Sequence, residues 1–173
     1  MSAIILTGFM GTGKTTVGRL LAARLHKAFV DIDERIEQAE GLSVAAIFAS
    51  KGEPYFRALE RRMVAEVTQM DAVIATGGGA IVDVENYARL HVAGPIICLR
   101  ADVEAILERT AADTQRPLLN SSDRATRVRE LLAQRAGAYG KADLTIDTTH
   151  RSTVAVLEEI LTFLHGTPGQ GGR

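Results

Sequence analysis

"GFMGTGKT", residues 8–15, decides the fold. It fits G-x-x-x-x-G-K-[ST], it follows the β-branched run "AIILTG" (3–8), and it opens a helical pattern over 14–25. Strand, glycine loop and helix in register form a P-loop: the glycines let successive N–H groups converge on nucleotide phosphates, and the helix N-terminus adds a favourable dipole. Lys14 would reach the β- and γ-phosphates, and the Thr15 hydroxyl would ligate Mg²⁺. A glycine-rich turn by coincidence would not need all three elements in order.

Outward from that loop, short apolar runs alternate with longer amphipathic stretches. "AFVDID" (28–33), "AVIAT" (72–76), "PIICLR" (95–100) and "LTIDT" (144–148) read as further strands. Helices are predicted near 33–40, 43–51, 53–70, 83–92, 102–111, 124–137 and 151–164, with Ser43, Asp83, Asp102 and Asp123 as N-caps of four of them. This alternation argues for an α/β fold, a parallel sheet wrapped by helices on both faces. One domain is expected over 1–164. The stretch "ADTQRPLLNSSD" (112–123) breaks periodicity and reads as a mobile loop, and the glycine-rich 165–173 has little to bury and reads as a disordered tail.

With 20 basic and 21 acidic residues the net charge is −1, so no general attraction to nucleic acid or anionic membrane is expected. Arg57, Arg61 and Arg62 read as one helix face rather than a nucleic-acid patch. The single cysteine, Cys98, excludes an internal disulfide and sits in an apolar strand run. No run is long enough for a membrane span, and the first residues lack a signal-peptide pattern. A soluble cytoplasmic protein is expected.

Two further features bear on chemistry. P-loop proteins commonly hold the metal through an Asp at the end of a later strand, but "AVIAT" ends in Gly77–Gly79. The acid is therefore sought in "FVDIDERIE", where Asp31 and Asp33 would share a face if strand geometry continued: one for the metal, the other for the acceptor. The competing reading makes Asp33 a helix cap. The glycines of "TGGGAI" (76–81) either form a turn with φ > 0 or let something approach closer than a Cβ permits. Three classes compete. A GTPase switch lacks Asp-x-x-Gly here, and "GKAD" (140–143) only approaches a guanine reader. A motor-type ATPase would want more chain and more basic surface. A small-molecule kinase, with a pocket, a base and a cationic lid, accommodates the rest.

In ordered succession the P-loop, "DID" (31–33), "IFASKGEPYFRALE" (47–60), "GGG" (77–79), "RPLL" (116–119) and Arg135 with Tyr139 resemble the shikimate kinases. The resemblance implies transfer of the ATP γ-phosphate to the 3-hydroxyl of shikimate, on the route to chorismate and the aromatic amino acids. It implies a five-stranded parallel sheet in order 2-3-1-4-5, a substrate-binding segment near 33–61 and a lid near 112–123. Catalysis would rest on Lys14, Asp33 and Arg116. ATP would meet Gly11, Thr12, Gly13, Lys14, Thr15, Thr16, Arg109, Arg116 and Arg151; the metal would meet Thr15 and Asp31. Shikimate would meet Asp33, Arg57, Gly78, Gly79 and Arg135, walled by Phe48 and Phe56, whose alternative role is plain core. Glu60, three residues after Arg57, would position it. The chain departs from the family where Gly137 and Ala138 replace a usual proline and leucine, so a loosened helix end is expected, and where "TTHRST" (148–153) lacks a usual proline, which weakens the adenine role of Arg151. A monomer is expected. Gluconate or nucleoside monophosphate is the alternative acceptor, one that would not need Arg57 and Arg135 together.

Overall fold

The computed structural model describes residues 3–111 and 123–166. Most of the expected 112–123 lid, with Arg116, and residues 167–173 lie outside that range.

Five parallel strands form one sheet in the order β2-β3-β1-β4-β5: β1 Ile4–Gly8, β2 Ala28–Asp31, β3 Ala72–Ala75, β4 Ile96–Arg100 and β5 Leu144–Asp147. Ile5 of β1 stands beside Ile74 on one side and Ile96 on the other. The order and the parallel pairing match the expectation. Both faces of the sheet are covered, so strand residues alternate between two cores instead of between core and water. Ile5, Ile74 and Ile96 belong to one core, under α2 (Ile32–Glu40), α3 (Val44–Lys51), α4 (Glu53–Val67) and α5 (Val84–Ala93). Ile4, Leu6, Val73, Ile97 and Leu99 belong to the other, under α1 (Lys14–Arg24) and α8 (Thr153–Gly166). A third cluster seats Phe9 and Met10 against α6 (Val103–Arg109) and α7 (Arg124–Tyr139).

Ser43, Asp83, Asp102 and Asp123 cap α3, α5, α6 and α7, each accepting from backbone N–H groups of the first turn. Two expectations are corrected. His165 and Gly166 close α8 and do not begin a tail, because Leu157, Ile160 and Leu161 hold that helix on the sheet. Helix α7 does not stop at Gly137: Gly140 N donates to Ala136 O at 2.9 Å and the helix runs unbroken to Tyr139. On α4, as expected of a helix, Arg57 turns toward Glu53 and Glu60, while Arg61, one turn on, reaches Asp83 at 2.7 Å.

Candidate active site

Parallel α/β sheets gather functional groups at the carboxyl ends of their strands, at the point where the chain's crossovers diverge. Here that point is the end of β1, flanked by β3 and β4. A cavity of about 750 Å³ opens there, lined by the P-loop, Asp31 and Asp33, the start of α3, Phe48, Phe56, Arg57, Glu60, Gly77–Gly79 and Arg135.

The P-loop supplies one end. Gly11 and Gly13 take left-handed φ of 74° and 98°, which turns consecutive N–H groups toward one side. Gly13 stands at the N-terminus of α1, where no side chain caps the helix, so its first N–H groups are left to a ligand. Thr12 is buried and spends its hydroxyl on Phe9 O at 2.7 Å; it shapes the loop rather than lining the cavity. Lys14 Nζ donates to Gly8 O and Phe9 O, both at 2.8 Å, placing its charge across the mouth of the loop.

Asp31 and Asp33 both line the cavity, but not as two strand residues on one face. The strand ends at Asp31, and Ile32 already belongs to α2. Asp31 is the N-cap: its Oδ1 accepts from Asp33 N at 3.0 Å and from Glu34 N at 3.3 Å. The capping role considered for Asp33 thus falls to Asp31. Its other oxygen, Oδ2, accepts from Thr15 Oγ1 at 3.0 Å, so the two residues predicted to hold a metal meet. An alcohol and a carboxylate beside a phosphate cradle are the hard oxygen donors that Mg²⁺ takes, and the pair fits that ion.

The opposite end answers the question of the three glycines. None of Gly77, Gly78 and Gly79 has a left-handed φ, so the tight-turn reading fails. Close approach is the reason, and the groups that approach are the protein's own. A Cβ on Gly77 would lie 2.8 Å from Asp33 Oδ1 and 3.2 Å from Glu60 Oε2; on Gly78, 3.0 Å from Arg135 Nη1; on Gly79, 2.6 Å from Arg57 Nη2. The expectation that the glycines make room for the substrate ring is corrected to this extent. Their bare backbone first admits two carboxylates and two guanidinium groups, converging over three consecutive residues.

The electrostatics follow from burial. Glu60 is fully buried and burial pushes its carboxyl up to about 7, although Arg57 Nη1 donates to both its oxygens at 2.9 and 3.1 Å. Burial also works against the Arg57 charge, but Glu60 and the half-exposed Glu53 outweigh it and hold the guanidinium above its usual value. Arg135 is 6% exposed, with its guanidinium carbon 5.5 Å from the Phe9 ring centre. Phe48 and Phe56 pack ring to ring at 4.9 Å. Both line the cavity and both touch the core.

Besides Thr12, two sequence candidates lie off the cavity. Arg109 donates to Gly11 O at 3.1 Å, Thr148 O at 2.7 Å and Thr149 O at 3.1 Å, tying the P-loop to the segment after β5. Arg151 is turned back onto α8, donating to Glu159 Oε2 at 2.5 Å and Ala155 O at 3.2 Å. Sequence reasoning missed Glu37 of α2, and Ser43 and Val44 at the start of α3, which line the cavity. The signal was present: Gly41 ends α2 with φ 66° and the Ser43 cap restarts the chain as helix at once.

A family model described as "Shikimate kinase" matches residues 10–165. A shikimate kinase from Geobacter metallireducens is 45% identical over 94% of this chain and 92% of its own length. The solved structure of a shikimate kinase from Acinetobacter baumannii in complex with shikimate superposes with a TM-score of 0.92 at 38% identity, over 95% of this chain and 93% of that one. A gluconokinase from Sinorhizobium meliloti, covering 95% of this chain and 91% of its own, reaches a TM-score of 0.57 at 16% identity and shares the fold alone.

Proposed function

The chain belongs to the shikimate kinase family, and from that premise we propose how its residues divide the work. The enzyme is a kinase that transfers the γ-phosphate of ATP to the 3-hydroxyl of shikimate, giving shikimate 3-phosphate for aromatic amino acid synthesis. One observation carries the assignment of the acceptor end: two arginines from different helices converge over neighbouring glycines, within the cavity that also holds Lys14 and Asp33.

Planar guanidinium forks bind carboxylates through paired, charge-assisted hydrogen bonds. Arg57 and Arg135 would therefore clamp the shikimate carboxylate, and Gly78 and Gly79 would border the ring. Asp33, at the same end of the cavity, would hold a ring hydroxyl and orient or deprotonate the one that attacks. Phe48 and Phe56 form an apolar wall that favours a ring over an open polyol. At the other end, Gly11, Thr12, Gly13, Lys14, Thr15 and Thr16 would cradle the ATP phosphates, with the Lys14 ammonium fixed where charge develops. Thr15 and Asp31 would hold Mg²⁺, which when bound neutralises phosphate charge. Arg109 would border the adenine while bracing the loop beneath it, with Arg151 a weaker candidate there. Arg116, which lies outside the described residues, would reach over the phosphates. We expect the enzyme to act as a monomer in the cytoplasm, where ATP is supplied as co-substrate.

A coupled assay across shikimate, quinate, gluconate and nucleoside monophosphates with ATP and Mg²⁺ tests this reading. Turnover confined to shikimate is expected. Activity only on gluconate or a nucleotide would overturn it, and GTP hydrolysis without an acceptor would favour a switch protein.

A further inference from the structure

We propose that Tyr139 is a positioning residue for the acceptor site: it presets the backbone of the triple-glycine turn and the Arg135 guanidinium, and so sets affinity for the acceptor without touching it. The inference rests on the shikimate reading for the identity of that acceptor, but not for the geometry.

A run of three glycines has more conformational freedom than any other tripeptide. Something must fix it if its groups are to serve a ligand. Tyr139 reaches it from the last turn of α7, and its hydroxyl donates to Gly78 O at 2.6 Å. The bond is sheltered: burial pushes the Tyr139 phenol up to about 12, so it stays a protonated donor throughout the working range. Its ring packs against two of the three cores, the one beneath α2–α5 and the one between α6 and α7, so the donor is held by the frame of the protein. Peptide planarity carries the constraint onward. All peptide bonds of the described residues are trans, so a Gly78 carbonyl directed at Tyr139 sends the Gly79 N–H to the opposite side. Gly79 lines the cavity, and its N–H is thereby set before any ligand arrives.

The same hydroxyl stands beside Arg135. Over Gly78, the Arg135 Nη1 and Tyr139 hydroxyl atoms lie 3.0 and 3.5 Å from one shared point. Arg135 and Tyr139 are four residues apart, hence neighbours on one helix face, but only while α7 remains helical between them. In this chain it does, through Gly137 and Ala138. One tyrosine thus aligns the turn and the arginine that converge on the acceptor.

Tyr139→Phe removes the donor and keeps the ring. Shikimate KM should rise about tenfold, the usual consequence of losing one well-placed buried hydrogen bond, while ATP KM changes by less than about twofold. p-Aminophenylalanine at 139, a weaker donor of nearly the same shape, should recover part of the loss. A purely structural role predicts otherwise: a lower melting temperature with shikimate KM unchanged, or shikimate and ATP KM rising together, and either result overturns the proposal. Should the phenylalanine variant not fold, the p-amino variant alone decides, by raising shikimate KM at constant ATP KM or by failing to. If the wild-type enzyme proves to prefer another acceptor, the shikimate reading fails, and the same split measured on that acceptor still tests Tyr139.

Discussion

Replacing Gly79 with alanine places one methyl group where the Arg57 guanidinium lies. The new Cβ would stand 2.6 Å from Nη2, 2.8 Å from Nη1 and 2.9 Å from Cζ. Ordinary contact begins at 3.4 Å, so the nearest atom must withdraw by 3.4 − 2.6 = 0.8 Å. The backbone offers no resistance. Gly79 has φ −100° and ψ −9°, a conformation open to alanine, and losing a glycine stabilises by roughly 0.4–1 kcal/mol through the unfolded chain. The guanidinium is the end of a flexible side chain and can move, but only by disturbing its bonds to Glu60 at 2.9 and 3.1 Å and its aim into the cavity. A charge-assisted hydrogen bond to a substrate carboxylate contributes about 1.5–3 kcal/mol. Losing most of one such bond weakens binding by about one to two powers of ten. Calorimetry on the variant should therefore show shikimate affinity reduced by that factor, ATP affinity within about twofold, and a melting temperature within a few degrees of wild type. Unchanged shikimate affinity in a folded variant would refute the reasoning, because Arg57 would then not depend on the bare backbone beneath it. Parallel loss of both ligands would mean that the turn had collapsed.

Gly8→Ala provides the contrast: its Cβ would lie 2.0 Å from the backbone oxygen of Leu99 at φ 133°, where nothing flexible can yield, so circular dichroism should show an unfolded or grossly destabilised protein. Lys14→Ala should abolish phosphoryl transfer with the spectrum intact, since it deletes a fixed cation where charge accumulates; near-normal turnover would contradict the cradle. Arg57→Ala and Arg135→Ala should each weaken shikimate binding by about 1.5–3 kcal/mol and ATP binding far less, and equal losses for both ligands would mark these arginines as structural. Glu60 gives the pH dependence. Its carboxyl is raised from 4.5 to about 7 in the folded state, so the fold holds a proton that the unfolded chain releases. That contribution is fully present below about pH 4.5 and is lost as pH rises through about 7. In urea titrations from pH 5 to 8, wild-type stability should decline relative to Glu60→Gln; wild-type stability that stays level or rises relative to that variant would exclude the raised value.

Local chemistry was legible in the chain. The P-loop could be read because its function resides in eight contiguous residues whose N–H groups, positive-φ glycines and following helix need no distant partner. The caps Ser43, Asp83, Asp102 and Asp123 were legible for the same reason, each bonding within its own first turn. The strand order came through the ordered motif set, since alternation alone leaves several parallel arrangements open. Element ends were less legible. At "VDID" a strand gives way to a helix one residue earlier than the pattern implies, because the Asp31 side chain caps the helix. What lies above the glycines could be decided only by tertiary structure. Arg57, Glu60, Asp33, Arg135 and Tyr139 come from three helices, and no local pattern distinguishes a surface arginine from one packed over a bare backbone. Burial also belongs to the fold alone: Glu60 looks in sequence like any helical glutamate, and only packing beneath the glycine turn removes its water and raises its affinity for a proton.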